Sequence, residues 1–248
     1  MISLFSTLLL LAAPDAERGL AIAIAADKAE SGFGAERTIA DMTIQTGTGD
    51  VETRTFRLTL LDSDPERSLV ELLEPARHRG MKVLTLAEKA GEDQVFVYFP
   101  KHGRNQRIVG RKRTGRFLGS DLTFEDLGSR KHYRYDHRYL RDESVGGLSC
   151  HVVESIPKDA DTGYSRIELW REVGTYRLLK VAWYDRAGGA LLKTGVFSEW
   201  TKVDGFARPG RYEIVSAETG RKTALVFRDR AVKNGLPDGV FSPESLDR

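Results

Sequence analysis

A hydrophobic period of two residues begins after Gly34 and continues almost to the end of the chain. In the segment TRTFRLTLL, the apolar residues Phe56, Leu58 and Leu60 alternate with polar ones. Such alternation is typical of a strand that buries one face and exposes the other to water. About a dozen segments of this kind follow one another, separated by glycine, Asp-Gly or charged turns. This spacing indicates an antiparallel barrel or sandwich and not a parallel α/β sheet.

The length and composition of the chain favour a single domain. The chain has 248 residues, of which 40% are hydrophobic, and all-β domains often reach this length as one unit with a substantial core. We find no internal repeat, linker or low-complexity tract, and we predict one domain over residues 17–248. The net charge of +2 gives no overall field that would favour a nucleic-acid partner.

The amino-terminal segment predicts export. Residues 4–13, LFSTLLLLAA, form an apolar run of ten residues, which is too short to span a bilayer but suits the core of a signal peptide. We therefore predict a signal peptide in residues 1–16. No Lys or Arg precedes the run, and Pro14 and Asp15 interrupt the small-residue cleavage pattern. A buried helix is the alternative interpretation.

One amphipathic helix is expected before the strands. In residues 15–34, Asp15 can cap the first turn, and Leu20 and Ile24 share an apolar stripe. Gly32 and Gly34 are then expected to end the helix.

Side chains that commonly carry catalysis or bind metals are few. Cys150 is the only cysteine, which excludes an intrachain disulfide and metal sites made of several thiolates. His132 and His137 are five residues apart on a predicted strand and should face opposite sides, as should His151 and its neighbour Cys150. The motifs G-x-S-x-G and H-E-x-x-H and a phosphate-binding glycine loop are absent. We expect no catalytic residue, no metal site and no cofactor.

The segment FLGSDLTFEDL, residues 117–127, contains the best candidate for an acid/base pair, Glu125 and Asp126. Ser120 or Asp121 can begin a helix, and a carboxylate in its first turns suits the positive helix end. Adjacent helix residues diverge by about 100°, so the two carboxylates would not act on one substrate. A capped surface helix is the simpler interpretation.

The segment before it, residues 101–116, holds seven Lys and Arg residues and no acid. It lacks the stacking aromatic residues of a nucleic-acid site, and no nucleic-acid partner is expected. Anionic lipid head groups or an acidic partner protein would suit this basic run, although it is equally compatible with a solvated hairpin and loop. The candidate head-group or partner contacts are Arg104, Arg107, Arg111, Lys112 and Arg113.

Several segments together resemble one protein family. The sequences GLAIAIAADKAESGFG, YFPKHGRNQRI, FLGSDLTFEDL, CHVVESIPK and YSRIELWRE resemble the outer-membrane lipoprotein-sorting proteins of the LolA-like superfamily. The closest branch is the one associated with RND-type exporters. The resemblance extends over nearly the whole chain after the predicted signal peptide. Its most specific part is carried by Tyr98, Pro100, Arg107, Ile108, Phe117, Gly119, Ser120, Asp121, Phe124, Glu125 and Asp126.

The resemblance implies both a fold and a role. The implied fold is α+β but mostly β, a strongly curved antiparallel sheet of about 11–12 strands that forms an incomplete barrel with covering helices. The implied role is that of a periplasmic carrier in a Gram-negative-type envelope. Such a carrier would shelter the acyl chains of a lipoprotein or another lipid during transport toward the outer membrane.

A sheet curved in this way is expected to enclose an apolar cavity, because its own side chains cannot fill the interior. The strand face that lines the cavity is open at this stage, since a shift of one residue exchanges one set of side chains for its neighbours. The candidate cavity residues are Met42, Ile44, Phe56, Leu58, Leu60, Leu169, Val181 and Trp183. The candidate lid residues are Phe117, Leu118, Leu122 and Phe124.

Three classes of function follow. The first is a non-enzymatic carrier or chaperone that delivers acyl chains to an outer-membrane acceptor, with transient membrane contact. The second is a periplasmic adaptor that docks on an RND-type exporter through the basic run, with a cavity filled by side chains. The third is an enzyme that uses Glu125 and Asp126, and the sequence favours it least.

Overall fold

The regular elements of the described chain are one α-helix and fifteen strands. The computed structural model describes residues 5–46, 49–232, 236 and 238–247, with side chains from residue 14 onward except that of residue 238. The helix, α1, spans Phe5–Glu30. The strands are β1 (Ala35–Gln45), β2 (Val51–Leu61), β3 (Arg67–Glu74), β4 (Lys82–Leu86), β5 (Gln94–Phe99), β6 (Arg104–Ile108), β7 (Tyr135–Val145), β8 (Leu148–Pro157), β9 (Tyr164–Glu172), β10 (Leu178–Asp185), β11 (Leu191–Ser198), β12 (Thr201–Val203), β13 (Phe206–Arg208), β14 (Arg211–Ser216) and β15 (Lys222–Val232).

Thirteen of these strands form one antiparallel sheet in the order β6-β5-β4-β3-β2-β1-β15-β14-β11-β10-β9-β8-β7. The strands β12 and β13 pair separately as a small hairpin. The large sheet is strongly curved, and its edge strands, β6 and β7, do not pair with each other. The expected open, mostly-β, curved antiparallel sheet is therefore confirmed.

The connection between β6 and β7, residues 109–134, links the two edges of the sheet. Because consecutive strands lie at opposite edges, this connection has to cross the open side of the curved sheet. We call it the lid segment. It contains four short 3-10 turns, at Gly110–Thr114, Phe117–Gly119, Glu125–Leu127 and His132–Arg134. Further 3-10 turns lie at Ala76–His78, Asp238–Phe241 and Pro243–Ser245.

The capped surface helix expected around Ser120 is absent from the lid segment, and that prediction is wrong. In residues 120–130, helical residues are limited to one 3-10 turn, Glu125–Leu127, and Thr123 instead forms an isolated bridge with Arg116. The Ser120 hydroxyl donates to the Phe117 carbonyl oxygen at 2.6 Å and accepts from the Leu122 amide at 3.2 Å. These bonds close a tight turn, so Ser120 is buried and begins no helix.

The helix α1 differs in its bounds from the helix expected over residues 15–34. It already includes residue 5 and ends at Glu30, and Asp15 lies inside it instead of capping it. The predicted signal peptide, residues 1–16, lies partly outside the described residues, since residues 1–4 are not described. Its cleavage and the domain boundary at residue 17 remain predictions.

The helix buries a different face from the expected one. Ile22 and Ala26 are buried, whereas Leu20 and Ile24 are 43% and 46% exposed. The reason is the close approach at Gly19, where an added Cβ atom would lie 2.6 Å from the Tyr139 backbone nitrogen. Contact with β7 therefore determines the orientation of α1, because only glycine permits the helix to lie this close to the strand backbone.

The main hydrophobic core lies on the concave face of the sheet. It unites buried side chains of ten strands and of the lid segment. A second cluster, with Cys150, Val152 and Trp170, is formed by the alternate residues of β8 to β10 and lies on the other face. The carboxyl-terminal turns close a third cluster, in which Phe241 and Leu246 cover Leu84.

Candidate functional site

A cavity of about 420 Å³ lies between the concave face of the sheet, the lid segment and the end of α1. Strand alternation supplies its apolar wall, because residues that face each other across paired strands share a side of the sheet. Leu58 on β2, for example, pairs with Val70 on β3 and with Thr38 on β1, and all three side chains line the cavity. Its volume falls within the range of about 300–1,000 Å³ that is usual for small-molecule sites.

The eight candidate cavity residues fall into two groups. Phe56, Leu58 and Leu60 line the cavity. The other five are buried in the same concave-face core but do not border the empty space; they are Met42, Ile44, Leu169, Val181 and Trp183. They belong to one cluster with Phe117 and Leu122 of the lid segment, so the lid fills that part of the concave face.

Sequence reasoning missed several other apolar residues of the cavity. Val70, Leu225 and Phe227 also line it, and they lie in segments whose composition already indicates strands. The signal was therefore present, but the pairing partners were not known. Leu225 lies beside Met42 in the β1–β15 pair, and this long-range pairing brings β15 to the cavity.

The four candidate lid residues all contact the core. Phe117 and Leu122 are buried, and Leu118 and Phe124 pack against the same cluster while partly exposed. The Phe117 ring meets the rings of Phe56 and Phe124 edge-on, at centroid distances of 6.2 Å and 6.0 Å. Leu122 also borders the cavity.

The acidic residues of the lid segment attach it to the sheet. Asp121 accepts a hydrogen bond from the Thr223 hydroxyl at 2.9 Å and forms an ion pair with Arg221 at 3.1 Å. Asp126 forms a buried ion pair with Lys193 on β11 and accepts from the Tyr164 hydroxyl at 2.9 Å. These contacts reach β15, β11 and β9, so the lid is held at several points of the concave wall.

Glu125 and Asp126 have different partners and do not form an acid/base pair. Glu125 accepts from the Thr162 hydroxyl at 2.8 Å and from the Gly163 amide, whereas Asp126 binds Lys193 and Tyr164. Burial raises the pKa of Glu125, and the neighbouring Asp126 carboxylate raises it further. Both carboxylates have protein partners that position the lid, which accounts for this acidic pair without a reaction.

Charged residues also line the cavity, and most of them are paired. Glu36 lies 2.5 Å from Arg208 and 3.0 Å from Arg230. Lys131 lies 3.1 Å from Glu66, and further pairs join Arg171 to Glu30 and Arg177 to Glu172. The cavity is therefore lined by apolar side chains together with paired charges.

The cations of the basic run are exposed, with one exception. Arg104, Arg107, Arg111 and Lys112 are exposed, whereas Arg113 is only 2% exposed. Arg113 lies 3.2 Å from Glu92 and 2.7 Å from Asp159. It cannot serve as the head-group or partner contact that the sequence suggested, because both of its carboxylate partners belong to the protein. The proposed contacts reduce to the other four residues.

The position of one histidine differs from expectation. His132 lies in a 3-10 turn and not on a strand, and a ring nitrogen of His137 lies 2.9 Å from the His132 carbonyl oxygen. The His132 ring contacts Asp27 of α1 at 2.6 Å, which joins the end of the lid segment to the helix. Cys150 is buried while His151 contacts Asp142 at 2.6 Å, so the thiol and the imidazole have separate surroundings.

The described residues contain neither a metal-binding group nor a membrane-spanning helix. No group of three or more His, Cys, Asp or Glu residues in that part of the chain could hold a metal ion. Among the helices of the described ranges, none has the length and apolarity needed to cross a membrane.

An open antiparallel sheet, curved over an apolar cavity and covered by the connection between its edges, places the chain in the class of half-barrel proteins with a ligand-sized cavity. Comparison with solved structures specifies the class further. A domain assigned as an outer membrane lipoprotein-sorting protein, from Vibrio parahaemolyticus, is 31% identical, with a TM-score of 0.90 over 94% of this chain and 100% of that one. The chain belongs to this family of outer-membrane lipoprotein-sorting proteins.

Other comparisons agree with this assignment. A DUF1329 family protein from Desulfovibrio piger is 28% identical, with a TM-score of 0.87 over 94% of this chain and 99% of that one. A LolA superfamily protein from Nitrosomonas europaea shares the fold, with a TM-score of 0.73 at 22% identity over 91% of this chain and 98% of that one. A family model with the description "Uncharacterized protein" matches residues 64–248. No curated protein matches the chain in sequence.

Proposed function

We propose that this protein is a non-enzymatic periplasmic carrier that binds the acyl chains of a lipoprotein or another lipid in its cavity. The observation that supports this most directly is the apolar cavity of about 420 Å³ beneath the lid segment. The family assignment supports it independently, because the Vibrio parahaemolyticus relative is assigned to lipoprotein sorting. Transport toward an outer-membrane acceptor, with transient membrane contact, completes the proposal.

The energetics of acyl-chain burial suit such a carrier. Burial stabilises by about 0.8 kcal/mol per CH₂, so about twelve buried CH₂ groups contribute about 10 kcal/mol before ordering costs are subtracted. Phe56, Leu58 and Leu60 on one wall and Leu225 and Phe227 on the other provide the apolar contact. No covalent chemistry is needed for this role.

Loading and release require movement of α1 or of the lid segment, which are connected to each other. Lys131 donates to the Ser31 hydroxyl at 2.8 Å, and the His132 amide donates to Asp27 at 2.8 Å. We expect the end of α1 and the end of the lid segment to move together, because these polar contacts join them.

Export to the periplasm is part of the proposal. The apolar run of residues 4–13 supports a signal peptide in residues 1–16, with the carrier domain in residues 17–248. Fractionation of the native cell locates the protein, and sequencing of its amino terminus shows whether residues 1–16 are removed. Together they test both statements. An unprocessed protein in the cytosol would contradict them.

The carrier function is tested by native mass spectrometry of the protein purified from membrane-containing cells. We expect a co-purified lipid in the wild type and its loss in Leu58→Trp, because the larger side chain occupies the cavity. The matched control is Leu191→Trp, at a strand position that is 40% exposed, which should keep the lipid. A folded wild type that never carries an acyl ligand would refute the carrier function.

A second function, docking on an RND-type exporter or another acidic partner, is supported by the exposed cations of the basic run, four of which are the candidate contacts. Arg104, Arg107, Arg111 and Lys112 are exposed on a segment without acidic residues. Their simultaneous replacement by Glu, with Arg113 left intact, should abolish partner capture without loss of folding. Unchanged capture in this variant would exclude the basic run as the docking surface.

A further inference from the structure

Arg130 occupies an unusual position near the end of the lid segment. It is partly buried and lines the cavity. Among the charged side chains that line the cavity in the described part of the chain, it is the one without a hydrogen bond or an ion pair to any described residue. Other cations that line the cavity form ion pairs with carboxylates, for example Arg208 with Glu36.

The carboxylates that act electrostatically on Arg130 are already bound by other cations. Asp126 is paired with Lys193, and Glu30 is paired with Arg171. Burial lowers the pKa of Arg130, but the neighbouring carboxylates act in the opposite direction and the pKa is raised. The guanidinium therefore stays charged. A partly buried cation without its own counter-ion is costly unless a further anion occupies the site.

A second polar group without a partner belongs to a residue that lines the same cavity. Tyr212 on β14 is 7% exposed and lines the cavity, and its hydroxyl is buried without a hydrogen-bond partner among the described residues. Its ring is held in place by stacking on Phe197, with centroids 4.1 Å apart. Gly195 allows this placement, because a Cβ atom there would lie 2.7 Å from the ring.

The Tyr212 hydroxyl is suited to donate to an anion. Burial raises the pKa of the Tyr212 hydroxyl, and the positive charge of Arg130 acts in the opposite direction. Because the pKa is raised overall, the phenol remains protonated. A buried hydroxyl without a partner carries a desolvation cost that a ligand oxygen would remove. A protonated phenol and a guanidinium, on two residues that line one cavity, are donor types that bind carboxylate or phosphate oxygens.

Building on the carrier function, we propose that the cavity selects acyl chains that end in an anionic group. Arg130 binds that group, with the Tyr212 hydroxyl as a second donor. The apolar wall takes the chain, and the anion supplies the charge that Arg130 lacks. A neutral chain would leave both donors unpaired. The ligand class is a fatty acid or a monoacyl phosphate lipid, which share this chemistry.

Isothermal titration calorimetry with three ligands of equal chain length tests the proposal. Dodecanoate and dodecyl phosphate carry an anion, and dodecanol is the neutral match. We expect the wild type to bind at least one anionic ligand roughly ten- to a hundredfold more tightly than dodecanol, since hydrogen bonds to charged groups are strong when desolvated. Preference for dodecanoate would point to a fatty acid, and preference for dodecyl phosphate to a phospholipid-type head group.

Three variants locate the preference. Arg130→Gln should remove most of it and leave dodecanol affinity unchanged, and Tyr212→Phe should reduce it by a smaller factor. Arg186→Gln, at an exposed position outside the cavity and the basic run, is the control and should retain the full preference. If Arg130→Gln does not fold, the wild-type preference and the Tyr212→Phe titration decide the question.

The outcomes separate this inference from the carrier function. Equal affinity of the wild type for all three ligands, or an unchanged preference in Arg130→Gln, would overturn the anion site and leave the carrier standing. Failure of all three chains to bind the folded wild type would refute the carrier and the anion site together.

Discussion

The Lys193 ammonium lies 2.5 Å from the Asp126 carboxylate, and both side chains are almost completely buried, at 7% and 2% exposure. The two residues are 67 positions apart, and their contact joins the lid segment to β11. Lys193 also donates to the Asp121 carbonyl oxygen at 2.8 Å. The middle of the lid is therefore fixed to the concave wall, and opening of the cavity is expected at its ends.

Removal of Lys193 should destabilise the protein strongly. Lys193→Met leaves the Asp126 carboxylate buried without its cation, and breaking a buried pair in this way costs about 3–5 kcal/mol. Urea unfolding measures the loss in the free energy of unfolding. The exposed Lys202→Met is the control and should change it by less than about 0.5 kcal/mol. Similar values for both variants would show that the ion pair does not hold the lid.

Arg113 and Arg111 should behave differently although they are two residues apart. Arg113→Gln leaves Glu92 and Asp159 without their cation and should lower the free energy of unfolding by about 3–5 kcal/mol. Arg111→Gln is exposed and should stay within about 0.5 kcal/mol of the wild type. Thermal and urea unfolding compare the two variants. A stable Arg113→Gln protein would contradict the structural role assigned to this residue.

Gly19→Ala should weaken the attachment of α1. In an exposed helix, this substitution would stabilise by roughly 0.5–1 kcal/mol. Here the new Cβ atom would lie 2.6 Å from the Tyr139 backbone nitrogen, so the helix must move away from β7. Hydrogen exchange of the α1 amides should become faster. Glu17→Ala, at an exposed helix position, is the control, and faster exchange in both variants would argue against a contact effect.

Glu125 should make the protein less stable as the pH rises. Burial raises its pKa above the ordinary 4.5, so the folded state binds the proton more tightly than the unfolded state does. The free energy of unfolding therefore falls as the pH rises from about 4.5 through the folded pKa. Glu125→Gln removes this titration.

As the pH rises across that window, the wild type should lose stability relative to the Glu125→Gln variant. Glu218→Gln, which is exposed, should show no such trend. Parallel pH profiles for the wild type and Glu125→Gln would refute the assignment. Urea titrations from pH 4 to pH 8 provide the comparison.

The sequence was sufficient to predict the sheet and one wall of the cavity. Alternation along TRTFRLTLL identifies a strand and the shared side of Phe56, Leu58 and Leu60, because side chains of a strand repeat every two residues. The sequence did not indicate that β15 pairs with β1. That long-range pairing adds Leu225 and Phe227 to the cavity, and no local pattern encodes it.

By itself, the sequence determined that the chain forms a curved, mostly-β sheet of the lipoprotein-sorting family, since period and motif are local properties of the chain. Tertiary structure alone decided the role of each charged residue. Arg111 and Arg113 look alike in sequence, yet only Arg113 lies beside Glu92 and Asp159. Arg130 likewise looks like any other arginine in sequence. In the structure its neighbours are already paired, Asp126 with Lys193 and Glu30 with Arg171. Burial and ion pairing depend on residues distant in the chain, so they exist only once the sheet has curved and the lid has crossed it.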